Sequence, residues 1–561
     1  MHDLRAASSE QRAASSEQRV VLVAVRSAGA LHRLLDVLPV FEGDERIGIR
    51  FTLVPGSDFD VDALAALERS GARTVSWDEA RVGRHDLILG ASPKGPLRVL
   101  SGPRALLPHG AGFNKTIPGE GSPHLPSGLD PHHLLADGEP WADLYALAHD
   151  TQLAALTGHC PAAAARAAVV GDPTLDRLLA SAGHRGRYRQ ALGTGGRRLV
   201  VLASTWGPES LLTRRPGLPA ELVGQLPYDS YQFALVLHPN EFSRLGSFDL
   251  SRQLAPALSG GLVLAGPYEE WAAVLVAADA VITDHGSSAL YAAAQGRPVI
   301  GAYDGGAELI PDSPMARLLA RVPALSSPAE LDEALAAAAA VDTVGLARAA
   351  FARQGESLGR LRDELYRLLG LAPRAVPVAA APLTRPTSTP RRPAAFAVRA
   401  AVSGHHVRVE RLAPGTAEAV HHLAAQHPEA GPRHTQSAAV LWRRASGGAA
   451  APPSSAWTAG GWTARMLDEA PGCRTAAAIL TPERCLVRHR TAGTFTVHVA
   501  PVRADGKVVR PDPAAVVSAV HAWLGAAGPS KAPVSLVCDI GPSTVRVRVE
   551  DVDPGDLDYE L

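Results

Sequence analysis

Short apolar runs alternate with amphipathic segments through the first 370 or so positions of the chain. Arg19-Val-Val-Leu-Val-Ala-Val25 is apolar at every position after the first, the pattern of a strand covered on both faces. A helix-like segment follows at 31–38, then a second strand at 48–54. Residues 64–69, 74–77 and 86–90 carry the alternation on, and this unit ends near His184. A second unit opens after Gly193-Thr-Gly-Gly196, with strands predicted at 198–204, 233–238, 262–264, 280–283 and 298–302. Helices fit between them at 269–278 and 287–295, and the unit finishes in the helix-rich stretch 328–369. Strands alternating with helices predict parallel sheets with helices on both faces.

The pattern changes after residue 371. Six prolines fall between 373 and 393, which predicts an extended, semi-stiff linker of at most roughly 60 Å. Beyond it, alternating strands at 407–411, 494–499 and 544–550 mix with helical pieces at 416–425 and 514–524, an α+β domain over 395–561 with a low-complexity loop at 446–461. A flexible tail is expected at 1–18, where Arg-Ala-Ala-Ser-Ser-Glu-Gln occurs twice in tandem. The predicted architecture is therefore α/β: two Rossmann-like domains, 19–190 and 191–371, in a GT-B-like pair, then the linker 372–394 and a separate α+β domain. In such sheets the ligand crevice lies beyond the carboxyl ends of the strands.

Composition narrows the function little. The net charge is −1, so no basic field draws the chain to nucleic acid or anionic lipid. Lysine occurs only at 94, 115, 507 and 531, and Arg carries nearly all the positive charge. Four widely spaced cysteines fit a reducing cytoplasm, no apolar run approaches the length of a membrane span, and the N-terminus lacks the apolar core of a signal peptide. Gly193-Thr-Gly-Gly196 precedes a strand, so it reads as a turn and not as a dinucleotide fingerprint. His405-His406 and His421-His422 show no third ligand at metal-site spacing.

The most informative segment is Asp279-Ala-Val-Ile-Thr-Asp-His-Gly-Ser-Ser288, continued by Ala-Leu-Tyr-Ala-Ala-Ala-Gln-Gly-Arg-Pro-Val-Ile300. An apolar strand runs into a polar turn and then a helix, whose first turn offers unpaired N–H groups beside the Ser287 and Ser288 hydroxyls. Asp284 or Ser287 could equally serve only to cap that helix. Thr205 ends a strand before Gly207-Pro-Glu-Ser210, where Pro208 at a first helical position would make a second anion-binding helix start.

The segment 279–300, with four other pieces that occur in the family's order along the chain, resembles the CDP-glycerol glycerophosphotransferase family, which builds wall teichoic acid polymers. Residues 279–300 are similar to its Thr-Asp-Tyr-Ser-Ser … Gly-(Lys/Arg)-Pro-Val signature. Leu107-Pro-His-Gly110 with Lys115 resembles its Trp-His-Gly-Thr-Pro-Leu-Lys loop, and Val170-Gly-Asp-Pro-Thr-Leu-Asp-Arg-Leu178 its Gly-x-Pro-(Arg)-x-Asp-x-Leu segment. Val200-Val-Leu-Ala-Ser-Thr-Trp206 and Leu237-His-Pro239 are similar to its Leu-Tyr-Ala-Pro-Thr-Trp strand and its Leu-His-Pro. The resemblance implies His109 as catalytic base and His238 as a phosphate-holding histidine. Thr205, Asp284, Gly286, Ser287, Ser288 and Asp304 would lie at the nucleotide, although Asp304 reads equally well as a turn residue. It further implies CDP-glycerol or a CDP-alditol as donor, an acceptor hydroxyl, and no obligatory metal or other cofactor.

The sequence also departs from that pattern. Lys115 lies further from His109, His285-Gly286 replaces one tyrosine, and the arginine due soon after Trp206 is missing, with Arg214 and Arg215 following later. Two other readings stay open: a UDP-sugar glycosyltransferase or 2-epimerase on the same fold, and a catalytically silent nucleotide-binding scaffold whose C-terminal domain recruits a protein partner.

Overall fold

In the computed structural model of the chain the described residues are 18–56, 60–108, 110–116, 119, 121–126, 128–267, 269–303, 305–415, 419–445, 455–504, 506–528 and 532–561. The expected tail, Gln18 apart, lies outside them, as does most of the low-complexity loop. Among the described residues, six parallel strands form the first sheet: β1 (Arg19–Val25), β2 (Ile47–Leu53), β3 (Leu87–Gly90), β4 (Arg104–Leu106), β5 (Leu144–Leu147) and β6 (Ala167–Val169). Their order is β2-β1-β3-β4-β5-β6. Val21 to Val25 are all buried, as a strand with helices on both faces requires. The strand predicted at 74–77 is a single bridge from Thr74 to Phe51, because Ser76 caps a helix that starts at Trp77.

The second sheet is also parallel: β7 (Arg198–Ser204), β8 (Tyr231–Leu237), β9 (Val263–Leu264), β10 (Ala280–Thr283) and β11 (Val299–Gly301), in the order β9-β8-β7-β10-β11. The chain order reverses between the neighbours β7 and β10, and the loops leaving such a pair diverge to opposite faces and open a crevice. Each sheet has its own layers of buried aliphatics on both faces.

Away from the crevice, helix ends join the two halves. Helix α1 (Ala28–Leu35) of the first half places Arg33 against the second, as described below. The cap of α2 (Pro173–Ala180) is Asp172, and Asp176 in its first turn accepts the backbone N–H groups of Gly355 (2.6 Å) and Ser357 (3.0 Å). Those two groups open the helix Ser357–Leu369, which follows the second sheet in sequence yet buries Leu358, Leu361, Leu365 and Leu369 in the core of the first. The Gly-Asp-Pro segment is thus a splice between distant stretches of chain, tied by buried carboxylates.

The proline-rich segment is extended and strapped down along its length. Tyr188 donates its hydroxyl to the Leu383 carbonyl (2.7 Å), and Leu383 N–H donates to Ser181 Oγ (2.8 Å). Glu270 receives the N–H and hydroxyl groups of both Thr387 and Ser388.

The C-terminal domain, expected as α+β, is a closed barrel around a helix. Nine described strands close into a barrel: β12 (Ala395–Ser403), β13 (His406–Leu412), β14 (His422–Gln426), β15 (Val440–Arg444), β16 (Thr475–Thr481), β17 (Arg484–His489), β18 (Gly493–Val499), β19 (Val534–Ile540) and β20 (Ser543–Asp551), in the circular order β12-β13-β19-β20-β18-β17-β16-β15-β14. The lumen holds the helix Pro513–Ala527, buried on every side from Pro513 to Leu524 and packed against the inward residues of most of the strands. A helix apolar all round demands this environment. The helix predicted at 416–425 is corrected: residues 422–426 are strand β14, and 416–418 lie outside the described residues.

The barrel docks on the loop Pro227–Ser230 before β8, through the pair Arg411–Asp229 and the Tyr228–Phe396 ring contact. That loop lies at the amino ends of the second sheet's strands, opposite the crevice. All four cysteines are free and buried, and no helix among the described residues is long and apolar enough to cross a membrane.

Candidate functional site

The crevice of the second half is organised by one carboxylate. Asp284, at the end of β10, is fully buried and accepts three backbone N–H groups: Thr205 (2.9 Å), Leu211 (2.7 Å) and Gly286 (2.8 Å). It therefore ties the β7 loop to the β10 turn at the switch point. Burial pushes its carboxyl above the usual range, while neighbouring His285 and the three N–H groups pull the other way. A Cβ at position 286 would stand 3.0 Å from Asp284 Oδ1 and 3.4 Å from the Thr205 Cβ, so a larger residue would have to push the turn aside by tenths of an ångström.

Ser287 and Ser288 follow at the head of the helix Ser288–Ala294. Neither hydroxyl has a hydrogen-bond partner among the described residues, and Ser287 does not cap the helix with its side chain. Pro208 lies before the helix Leu211–Arg214 and not at its first position. Ser210 caps that helix and Asp284 takes its first N–H, so the second anion-binding helix start foreseen there is not formed.

His238 ends β8 and caps the helix Pro239–Gln253, its Nδ1 accepting the Asn240 N–H at 3.2 Å. In the neutral ring the proton must then sit on Nε2, which makes His238 an N–H donor. Its ring centre is 6.2 Å from that of Trp206, the residue after Thr205, whose side chain is 37% exposed at the crevice.

The first half reaches this crevice through the loop after β4. Its residues pair with the second half as a short ladder: Ile310 N–H donates to the Asn114 carbonyl (2.8 Å) and Thr116 N–H to the Glu308 carbonyl (3.0 Å), with Lys115 bridged to Leu309. Lys115 Nζ stands 5.5 Å from the centre of the Trp206 ring and 3.6 Å from Glu308 Oε2. Gly110 comes so near the serine turn that a Cβ there would be 3.3 Å from Ser287 Oγ. Near the start of α1, Gly29 approaches Pro239 in the same way, at 3.9 Å. Loops from the carboxyl ends of both sheets thus meet: those after β1 and β4 with those after β7, β8 and β10. His109 and Asp304, two of the sequence candidates, lie outside the described residues.

A group that sequence reasoning did not find supports the far wall. His285 is buried, with Nε2 3.2 Å from Glu308 Oε2, and its Nδ1 has no hydrogen-bond partner among the described residues. Burial raises the Glu308 carboxyl, but its bond to His285 and the charge of Lys115 outweigh that and hold it below the ordinary range. Gly305 lies over His285 with φ +79°, and a Cβ there would stand 2.2 Å from the imidazole Cγ, so no other residue fits. Glu209 is held by Tyr303 and Arg214, which pairs off one of the two arginines after Trp206. The other, Arg215, donates to the carbonyls of Leu325 and Ser326. No spacing rule links Glu209, Tyr303 and Glu308, since only the fold assembles them.

No family model matches the sequence, and no curated protein matches it either. Solved structures do show similarity. The wall teichoic acid polymerase TagF is 13% identical over 63% of this chain and 90% of its own, with a TM-score of 0.44. The putative UDP-N-acetylglucosamine 2-epimerase from Listeria monocytogenes is 12% identical over 62% of this chain and 96% of its own, with a TM-score of 0.42. Anabaena Alr3699/HepE, in complex with UDP-glucose, is 17% identical over 63% of this chain and 100% of its own, with a TM-score of 0.37.

Proposed function

We propose that the chain is a transferase that moves a glycerophosphate, alditol-phosphate or sugar group from a nucleotide-diphosphate donor to an acceptor hydroxyl. The observation that carries this reading is the ladder between residues 114–116 and 308–310, which sets Lys115 beside Trp206 and His238 at the crevice where Ser287 and Ser288 begin a helix. In this reading the donors for a pyrophosphate are the Lys115 ammonium, the His238 Nε2–H and the two serine hydroxyls. Their hydrogen bonds to an anion are each worth about 1.5–3 kcal/mol, and they are held in place before the charge develops. The acceptor oxygen attacks the donor's β-phosphorus, or the sugar carbon, and the bond to the departing nucleotide breaks. His109 takes the hydroxyl proton, a contribution of about 10²–10⁴-fold. Asp284 acts through the backbone of the two loops it ties, and Thr205 offers its place in that loop. Asp304 belongs to this proposal on its sequence position alone.

Calorimetric titration with CDP-glycerol, a UDP-sugar and a GDP-sugar tests the reading and ranks the bases. The Ser287→Ala, Ser288→Ala double variant should lose at least about tenfold in donor affinity, since 1.4 kcal/mol is a factor of ten. Unchanged affinity with an intact fold would remove the serine turn from the site. His109→Ala should keep donor binding and lose transfer, which separates this proposal from a silent scaffold.

A further inference from the structure

The barrel brings together three imidazoles that the sequence keeps apart. His421 and His422 stand at the entry to β14, with their Nδ1 atoms 2.9 Å apart. His521 comes from the lumenal helix, and its ring centre lies 4.7 Å from that of His422 and 6.0 Å from that of His421. One nitrogen from each of the three lies within 4.8 Å of the others. We propose that His421, His422 and His521 bind a divalent first-row transition-metal ion, of which zinc is the usual partner of three histidines.

Four observations carry the assignment. The two Nδ1 atoms are at hydrogen-bond distance, so at least one is unprotonated and carries a lone pair that a cation can take in place of the proton. Nitrogens on a tetrahedral zinc ion at 2.0–2.1 Å lie about 3.3 Å apart, so the 2.9 Å pair would open slightly, and the three nitrogens, within 4.8 Å of one another, would draw in around the ion. His521 Nδ1 is 2.8 Å from the hydroxyl of Thr475, a fully buried residue at the start of β16. That bond orients the ring and leaves Nε2 as its ligand nitrogen, the support that ligating histidines commonly receive from a neighbouring group. Finally, His422 is 5% exposed, so packing fixes its ring beside the other two.

A fourth histidine is excluded by its bonding. His489 stacks near His521 at 6.1 Å, but its Nδ1 accepts the N–H groups of Thr491 and Ala492, which places its proton on Nε2. The set is therefore three nitrogens, and exposed His421 leaves a coordination position open to solvent. The site stands apart from the docking contact. His521 is nine residues beyond Asp512 on the lumenal helix, about 13 Å along its axis.

Untagged full-length protein, dialysed against a chelator and titrated with Co²⁺, should show the visible absorption of a low-coordinate cobalt site, saturating at one ion per chain. Zn²⁺ should bleach it by competition. His421→Ala, which removes an exposed ring, should weaken binding at least tenfold, and Thr475→Val by 10–100-fold as the loss of an orienting partner. His521→Gln should abolish the signal. Should that buried change unfold the barrel in a melting control, the His421→Ala titration decides alone. No cobalt signal in the wild type, or one unchanged in His421→Ala, would overturn the proposal.

Discussion

At the scale of single residues, His238 has two functions that one substitution can separate. Its Nδ1 caps a helix, and in the neutral ring its Nε2 carries the proton that we assign to the donor. Asparagine is among the best N-cap residues, so His238→Asn should keep thermal stability within about 1 kcal/mol of the wild type. It removes the ring that reaches past the cap, and donor affinity measured by calorimetry should fall at least about tenfold, the loss of one charge-assisted bond. Equal affinity in the two proteins would assign His238 to the cap alone. The residues singled out in the sequence share one property: each follows an apolar strand, Thr205 and His238 at once and Ser287 after a short turn, so the rule that crevices lie beyond strand carboxyl ends pointed to all three. Asp284 was singled out with them, but its three bonds were not legible, because the amides it accepts come from two loops. Glu308 was not legible at all. Its partners Lys115 and His285 come from different halves of the chain.

At the scale of elements, the parallel sheets were readable because strands buried on both faces are apolar runs and the helices between them are amphipathic. The barrel was less so. Strand β16, Thr-Ala-Ala-Ala-Ile-Leu-Thr, has no alternation, since its inner face packs on the lumenal helix and its outer face on the helix Ala459–Glu469. Small residues are needed on both sides, and an alanine run of that kind carries no strand signal in sequence. Helix ends matter most where the halves join. The Tyr291 hydroxyl, on the helix that begins at Ser288, accepts from Arg33 (2.6 Å) and donates to Asp172 (2.7 Å), linking α1, the cap of α2 and the second half. Tyr291 is fully buried, and burial lifts its phenol well above the usual range, so it stays a donor at any working pH. Tyr291→Phe preserves the packing on Phe351 and Trp271 while stranding two buried charged partners. It should cost about 1–3 kcal/mol in denaturant unfolding. A cost below about 0.5 kcal/mol, the range of ordinary surface changes, would show that Arg33 and Asp172, already 3.8 Å apart, satisfy one another directly.

At the scale of the whole molecule, the barrel grips the second half at the end of its sheet remote from the crevice, and a single guanidinium holds the joint. Arg411 is 1% exposed; it donates to both oxygens of Asp229 in the second half (2.8 and 2.6 Å) and to Asp512 at the cap of the lumenal helix (2.9 Å). Arg444 completes the cluster on Asp512 at 2.6 Å. Removing one member of a buried ionic group costs about 3–5 kcal/mol, because the others are left without their counter-charge. Arg411→Met should therefore destabilise the barrel and loosen its docking. The pH dependence follows from Asp512. Burial favours its neutral form, but Arg411 and Arg444 outweigh burial and hold the carboxyl well below the ordinary carboxylate range. A depressed folded-state value means that the stabilisation is complete above the unfolded pKa, about 3.9 for an aspartate, and is lost as pH falls below it. The melting temperature of the wild type should hold steady from neutral pH down to about 5 and then decline. In Arg411→Met one of the two cations that depress Asp512 is gone, so the protein should start lower and decline less steeply with acid. Parallel melting curves for the two proteins across that range would show that the ionic cluster does not hold the barrel in place.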